Sequence, residues 1–207
     1  MIIDVFQDTI CPWCRIGKKH LFDALKEWQG EPVTVRYRTY LLNHDTPKEG
    51  YPFREYMAAT KGGPQVVEGM IQHVTAAGER SGVKFHFDKV QLMPNTLPSH
   101  TLIKLAPEEK TSEAVEAIYR AYFEHGLDIG NIDVLVGIAQ ELGMNAEEAR
   151  AQLLAGAKNE EIQADLKWAR ELEITGVPFF VIDGKLALSG AHPAETFIKA
   201  FEKVSSS

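Results

Sequence analysis

Ile2-Ile3-Asp4-Val5-Phe6-Gln7-Asp8-Thr9-Ile10-Cys11-Pro12-Trp13-Cys14 is the stretch that decides how the rest of the chain is read. Ile2, Ile3, Val5 and Phe6 form a short β-prone run that stops at Asp8-Thr9. From Pro12 the pattern turns helical, with Cys14, Lys18, Leu21, Leu25 and Trp28 on one stripe at 3.6-residue spacing. Proline suits the first helical position, where its missing N–H has no intrahelical partner to lose. Gly30 and Pro32 end that helix. Val33, Val35, Tyr37, Thr39 and Leu41 then alternate with Thr34, Arg36, Arg38 and Tyr40, as a strand does. The chain therefore opens β–α–β, with its cysteines at the first strand-to-helix junction.

Cys11 and Cys14 are the only cysteines, and the loop between them is too short to staple a fold. Their placement points to chemistry instead. A sulfur at a helix N-terminus faces unpaired N–H groups and the positive end of the helix dipole, which favour the nucleophilic thiolate. Cys11 is thus expected as the exposed attacking sulfur. Cys14, one turn on, is the shielded thiol that resolves a mixed disulfide, so the pair can cycle between dithiol and disulfide. A structural zinc site needs about four ligands. Here the remaining ligands would have to come from the scattered His20, His44, His73, His86 and His100, so no metal is expected. Two inert buried cysteines would not explain a proline set between them at a helix start.

Residues 43–157 change character. Asn43, Asp45, Pro47, Gly50 and Pro52 make a turn-rich entry. Beyond it, helical stripes replace β alternation: Val66, Met70, Ile71 and Val74; Val115, Ile118, Tyr119, Tyr122 and Phe123; Val134, Leu135, Ile138 and Leu142. Asn145 with Glu148 marks the cap of a further short helix. Near residue 158 a long helix carries Ile162, Leu166 and Ala169 on one face. Phe179 to Ile182 then reads as a strand, Asp183-Gly184 as a hairpin turn and Leu186 to Leu188 as the answering strand. An amphipathic helix from Pro193 to Val204 closes the chain, and Ser205 to Ser207 read as a frayed tail. Two halves, 1–43 and 158–207, flank an all-helical block, 44–157. The fold class is α/β: one mixed sheet with a large helical insertion.

Composition narrows the function classes. Among 207 residues, 44 % are apolar, enough for a substantial core. Twenty-two Lys and Arg against 29 Asp and Glu give a net charge of −7, which speaks against nucleic acid or an anionic membrane as partner. No apolar run approaches the roughly 20 residues of a membrane span. The N-terminus lacks the basic start and apolar stretch of a secretory signal, so a cytoplasmic location is expected. Arg15 is read as a cation near the thiolate. Lys18, Lys19 and His20 are read as a solvated flank, and Asp165, Glu171 and Glu173 as solvated helix charges. Tyr51, Phe53, Tyr56 and Met57 are read as core or as one wall of a substrate groove.

Asp8-Thr9-Ile10-Cys11-Pro12-Trp13-Cys14-Arg15-Ile16-Gly17-Lys18 and Thr175-Gly176-Val177-Pro178-Phe179-Phe180-Val181-Ile182 together resemble the FrnE type of DsbA-like protein in the thioredoxin superfamily. Asn95-Thr96 with Ser99-His100, and Leu188-Ser189-Gly190-Ala191-His192, resemble further motifs of that group, although relatives often carry Gln where His192 stands. The resemblance implies a thioredoxin-like fold, with Pro178 in the cis form packed against the cysteine pair. It also implies that the Val177 backbone binds an extended substrate by strand addition. It implies a thiol–disulfide oxidoreductase with no bound cofactor beyond the Cys11–Cys14 disulfide, acting on protein or small-molecule thiols and disulfides. Pro12 and Trp13 tune the redox turn. The 2-hydroxychromene-2-carboxylate isomerases share the layout but place Ser where Cys11 stands and bind glutathione. That gives an alternative, glutathione-dependent isomerisation or transfer, in which Asn95, Thr96 and His100 line a pocket for glutathione or substrate. The competing reading of these three is local: Asn95 and Thr96 cap a helix, and His100 packs at the domain junction.

Overall fold

The computed structural model describes residues 1–206; Ser207, the end of the expected tail, lies outside the described residues. The central strand β1 (Ile2–Gln7) pairs in parallel with β2 (Thr34–Thr39), and α1 (Pro12–Glu27) makes the crossover between them. On its other side β1 runs antiparallel to β5 (Phe179–Ile182), which turns through Asp183-Gly184 into β6 (Leu186–Ser189). The four-stranded order is β2-β1-β5-β6. Asp183 and Gly184 both have positive φ, 48° and 64°, as a tight two-residue hairpin turn demands.

Alternation along β1 sends its residues to two apolar layers. Ile3 and Val5 face the side covered by α1 and α9 (Ala194–Ser205), where Phe180, Phe197 and Phe201 are fully buried. Phe6 points to the opposite side and meets Trp168 edge-on at 5.1 Å, on α8 (Asn159–Glu171). Ser205, read from sequence as tail, completes α9.

Between β2 and α8 lie six helices: α2 (Phe53–Lys61), α3 (Pro64–Arg80), α4 (Leu97–Leu105), α5 (Thr111–Phe123), α6 (Ile132–Glu141) and α7 (Ala146–Leu154). The α5 stripe is buried as its spacing predicts. Asn145 caps α7 by accepting from the Glu148 amide at 3.0 Å. The α3 face is a correction. It buries Val67, Val74, Ala77 and Gly78, while Val66 and Met70 stand 47 % and 43 % exposed. The block is also not purely helical, since β3 (Tyr51–Pro52) pairs with β4 (Leu92–Met93). One continuous apolar cluster joins Ile3 and Cys14 to Phe53, Tyr119 and Leu135, so sheet and insertion share a core.

Gly17 lies where α1 crosses that core. A Cβ there would stand 2.9 Å from Pro178 Cγ and 3.2 Å from Phe180 Cζ. Gly17→Ala should therefore cost about 1–3 kcal/mol through overpacking, read as a lower urea midpoint. It should also slow any chemistry at Cys11, because Pro178 must yield. An unchanged midpoint would contradict the close packing.

Candidate functional site

Pro12 occupies the first position of α1 and Cys11 is its N-cap. The Cys11 Sγ accepts a hydrogen bond from the Cys14 amide at 3.3 Å, so an N–H of the first turn points at the sulfur. This is the local device for holding an anion. The peptide Val177–Pro178 is cis, and the Cys11 thiol donates to the Val177 carbonyl across 3.6 Å. Both cysteines are free thiols. The expectation of an exposed Cys11 is corrected: it is 4 % exposed and Cys14 2 %. Being at a helix N-terminus does not make a sulfur accessible when another segment, here Val177-Pro178, lies over it.

The Cys14 thiol is pushed well above the ordinary range, first by burial, then by its hydrogen bond to Cys11 and by the Cys11 charge. Burial likewise raises the Tyr119 phenol, whose hydroxyl donates to Gln7 Oε1 at 2.7 Å.

Beside Cys11 opens a cavity of about 350 Å³. Its wall takes Cys11, Pro12 and Trp13 from the start of α1, Val177 from the segment facing it, and apolar side chains from α2, α3 and α5. Phe53 and Met57 of the sequence-read cluster serve both as packing and as wall. Lys61, His73 and Met70 carry no separate signal as wall residues, because nothing in a local pattern says what a helix face looks onto. His73 sits 5.6 Å from the Trp13 ring, tilted at 49°.

Asn95, Thr96 and His100 lie elsewhere, outside the wall of this cavity. The Asn95 side chain accepts from the Leu97 amide at 3.0 Å and donates to the Thr46 carbonyl at 2.7 Å. Thr96 is the N-cap residue of α4 by position, with no side-chain cap bond. His100, 1 % exposed, has Nε2 3.1 Å from Oδ1 of the fully buried Asp8. Thr9 and Ser99 hydroxyls meet at 2.8 Å beside that pair. The segment that leads into α1 is thus tied to α4.

Arg15, read as a cation near the thiolate, and several charges read as solvated are engaged elsewhere. Arg15 turns away from the thiolate into an ion cluster, with Nη2 2.8 Å from Glu116 and 2.5 Å from Glu124. Lys18 joins it through Glu116 at 3.3 Å. His20 bridges the His192 carbonyl and the Ser81 hydroxyl, each at 2.8 Å. Asp165 is 3 % exposed and holds Arg38 and Lys104. Among the described residues no group of three or more His, Cys, Asp or Glu could hold a metal ion, and no helix is long and apolar enough to cross a membrane.

A mixed β-sheet with a helix-capping Cys-x-x-Cys opposite a cis-proline defines a thioredoxin-fold redox protein. Residues 2–202 match the model of the DsbA-like thioredoxin domain, and the chain belongs to that family. It is 30 % identical to a probable DsbA oxidoreductase from Streptomyces coelicolor, covering all of this chain and 90 % of that one with a TM-score of 0.91. It is 28 % identical to the uncharacterized protein YwbO of Bacillus subtilis, over 96 % of this chain and 94 % of the relative. The fold is also that of 2-hydroxychromene-2-carboxylate isomerase, at 15 % identity over 99 % and 96 % of the two chains and a TM-score of 0.74. The cytosolic disulfide reductase DsbM of Pseudomonas aeruginosa, solved with glutathione, shares it at 19 % identity over 98 % and 100 %, with a TM-score of 0.65.

Proposed function

We propose that this protein is a thiol–disulfide oxidoreductase exchanging disulfides with protein or small-molecule thiols through Cys11 and Cys14. The observation that carries the reading is the Cys11 sulfur itself: an N-cap receiving the Cys14 amide, beside a cavity and opposite the Val177 carbonyl. The Cys11 thiolate attacks a substrate disulfide, forming Cys11–S–S–R and releasing one thiolate. Cys14 loses its proton and attacks the Cys11 sulfur, releasing the second. Pro12 and Trp13 shape the turn, and Val177-Pro178 seats the partner. His100 acts from behind, by holding the turn through Asp8, the Thr96 carbonyl orients Ser99 toward Thr9, and Asn95 braces the loop at Thr46. The exchanging disulfide serves in place of a bound cofactor, glutathione is the candidate co-substrate, and the setting is cytoplasmic. Support for these last two points is the name of the fold neighbour DsbM, a cytosolic reductase solved with glutathione.

Incubation of the reduced protein with oxidised glutathione tests this. The expected result is release of two thiols per chain with joint loss of both cysteines to alkylation. Unchanged glutathione with two alkylatable cysteines would overturn it.

A second reading, glutathione-dependent isomerisation or transfer, draws on the cavity, whose volume suits a small molecule, and on the likeness to 2-hydroxychromene-2-carboxylate isomerase. It requires glutathione-linked turnover that survives Cys14→Ser; absence of such turnover dismisses it.

A further inference from the structure

We infer that the disulfide admitted at Cys11 is a small molecule joining an apolar, ring-sized body to a carboxylate, and that Lys61 meets the carboxylate at the cavity mouth. This rests on the exchange chemistry proposed above.

Size comes first. Because Cys11 is 4 % exposed, the sulfur under attack must enter the cavity to reach it. About 350 Å³ lies at the small end of ligand pockets. The wall then sets the character of what enters. Phe53, Met57, Met70, Ile71, Phe87 and Phe123 offer rings and flexible thioethers to an apolar body.

Charge gives the third requirement. Acidic residues number 29 of 207 in a chain of net charge −7, yet none stands on this wall. The wall's basic side chains are Lys61 and His73. Lys61, exposed in the last turn of α2, has no hydrogen-bond or ion-pair partner among the described residues. Lys18, Lys104, Lys158 and Lys167 pair with carboxylates, and of the described lysines without a partner Lys61 is the one on this wall. An unpaired cation at the mouth of an acid-free apolar cavity complements an anionic group on an apolar ligand.

The chemistry balances within one turnover. The Cys11 thiolate displaces one RS⁻ from R–S–S–R; Cys14 gives its proton to water and displaces the second. The protein is oxidised by two electrons and the ligand reduced to two thiols. No further reductant enters, so single-turnover kinetics on the pre-reduced full chain suffice.

Two aromatic disulfides separate the charge from the chemistry: dithiobis(nitrobenzoate), which carries two carboxylates, and neutral dithiodipyridine. Lys61→Gln should slow reduction of the dicarboxylate by about three- to fivefold at low salt and leave dithiodipyridine unchanged. Lys61→Glu should slow it further, and added salt should shrink both losses. Equal effects on the two disulfides, or none on either, would overturn the assignment while leaving disulfide exchange standing. If the native protein reduces neither, the exchange reading itself fails.

Discussion

Cys11→Ser should abolish disulfide exchange, a loss on the order of a thousandfold or more, as removal of an attacking nucleophile produces elsewhere. Ser retains the size and the N-cap hydrogen bond to the Cys14 amide, so the fold should survive and the loss should be chemical. Cys14→Ser should behave differently. Cys11 still attacks, but nothing resolves, and a Cys11–substrate mixed disulfide accumulates as a mass adduct. The Cys14 thiol is held well above its ordinary range, chiefly by burial and then by Cys11. A raised thiol pKa keeps the inactive protonated form, so the thiolate fraction grows as pH rises toward that pKa. The wild-type mixed disulfide should therefore become shorter-lived through the alkaline range. Reduction of dithiodipyridine retained by the Cys11 variant would contradict the assignment, as would a Cys14 variant that traps no adduct.

Asp165→Ala should cost about 3 kcal/mol or more of folding free energy. Asp165 is 3 % exposed, and its Oδ2 accepts from the Thr39 amide at 2.9 Å. Its carboxylate also lies 3.2 Å from Arg38 Nη1 and 2.5 Å from Lys104 Nζ. Arg38 is in turn bound to Asp4 at 2.7 Å and lies over the Trp168 ring. One carboxylate thus joins β2, α4 and α8 across the face opposite α1. Removing it strands a buried amide and leaves Lys104, only 12 % exposed, without its anion. The fall should appear in the urea midpoint with an unchanged slope. A loss under about 1 kcal/mol would mean that the cluster behaves like exposed ion pairs.

Where the chain reports its own local geometry, sequence was enough. Alternation in β1 and β2, Pro12 at the start of α1, Asn145 at the start of α7 and Asp183-Gly184 between β5 and β6 each act within a few residues. Their signals survive without tertiary context. Charges do not work that way. Arg15 finds Glu116 101 residues away, and Arg38 finds Asp165 127 residues away. No window on the sequence contains both partners, so Asp165 and Lys18 are read there as solvated and Arg15 as an aid to the thiolate. The α3 face failed for a related reason. Periodicity gives a stripe, but which edge of it is covered depends on where α1 and α2 lie, and Met70 ends on the cavity wall. A two-residue ladder such as β3–β4 is shorter than any period. At the site, the residue types were legible in the Cys-Pro-Trp-Cys and Val-Pro segments. The burial of Cys11 and the wall contributed by α2 and α3 arise only when distant elements meet.

Equilibration of the protein across glutathione redox buffers, with alkylation and mass spectrometry, tests the central claim most directly. A redox-active pair predicts one reversible transition in which Cys11 and Cys14 lose and regain alkylation together, as a two-electron couple. A protein that keeps two alkylatable thiols at every oxidised-to-reduced glutathione ratio would contradict it.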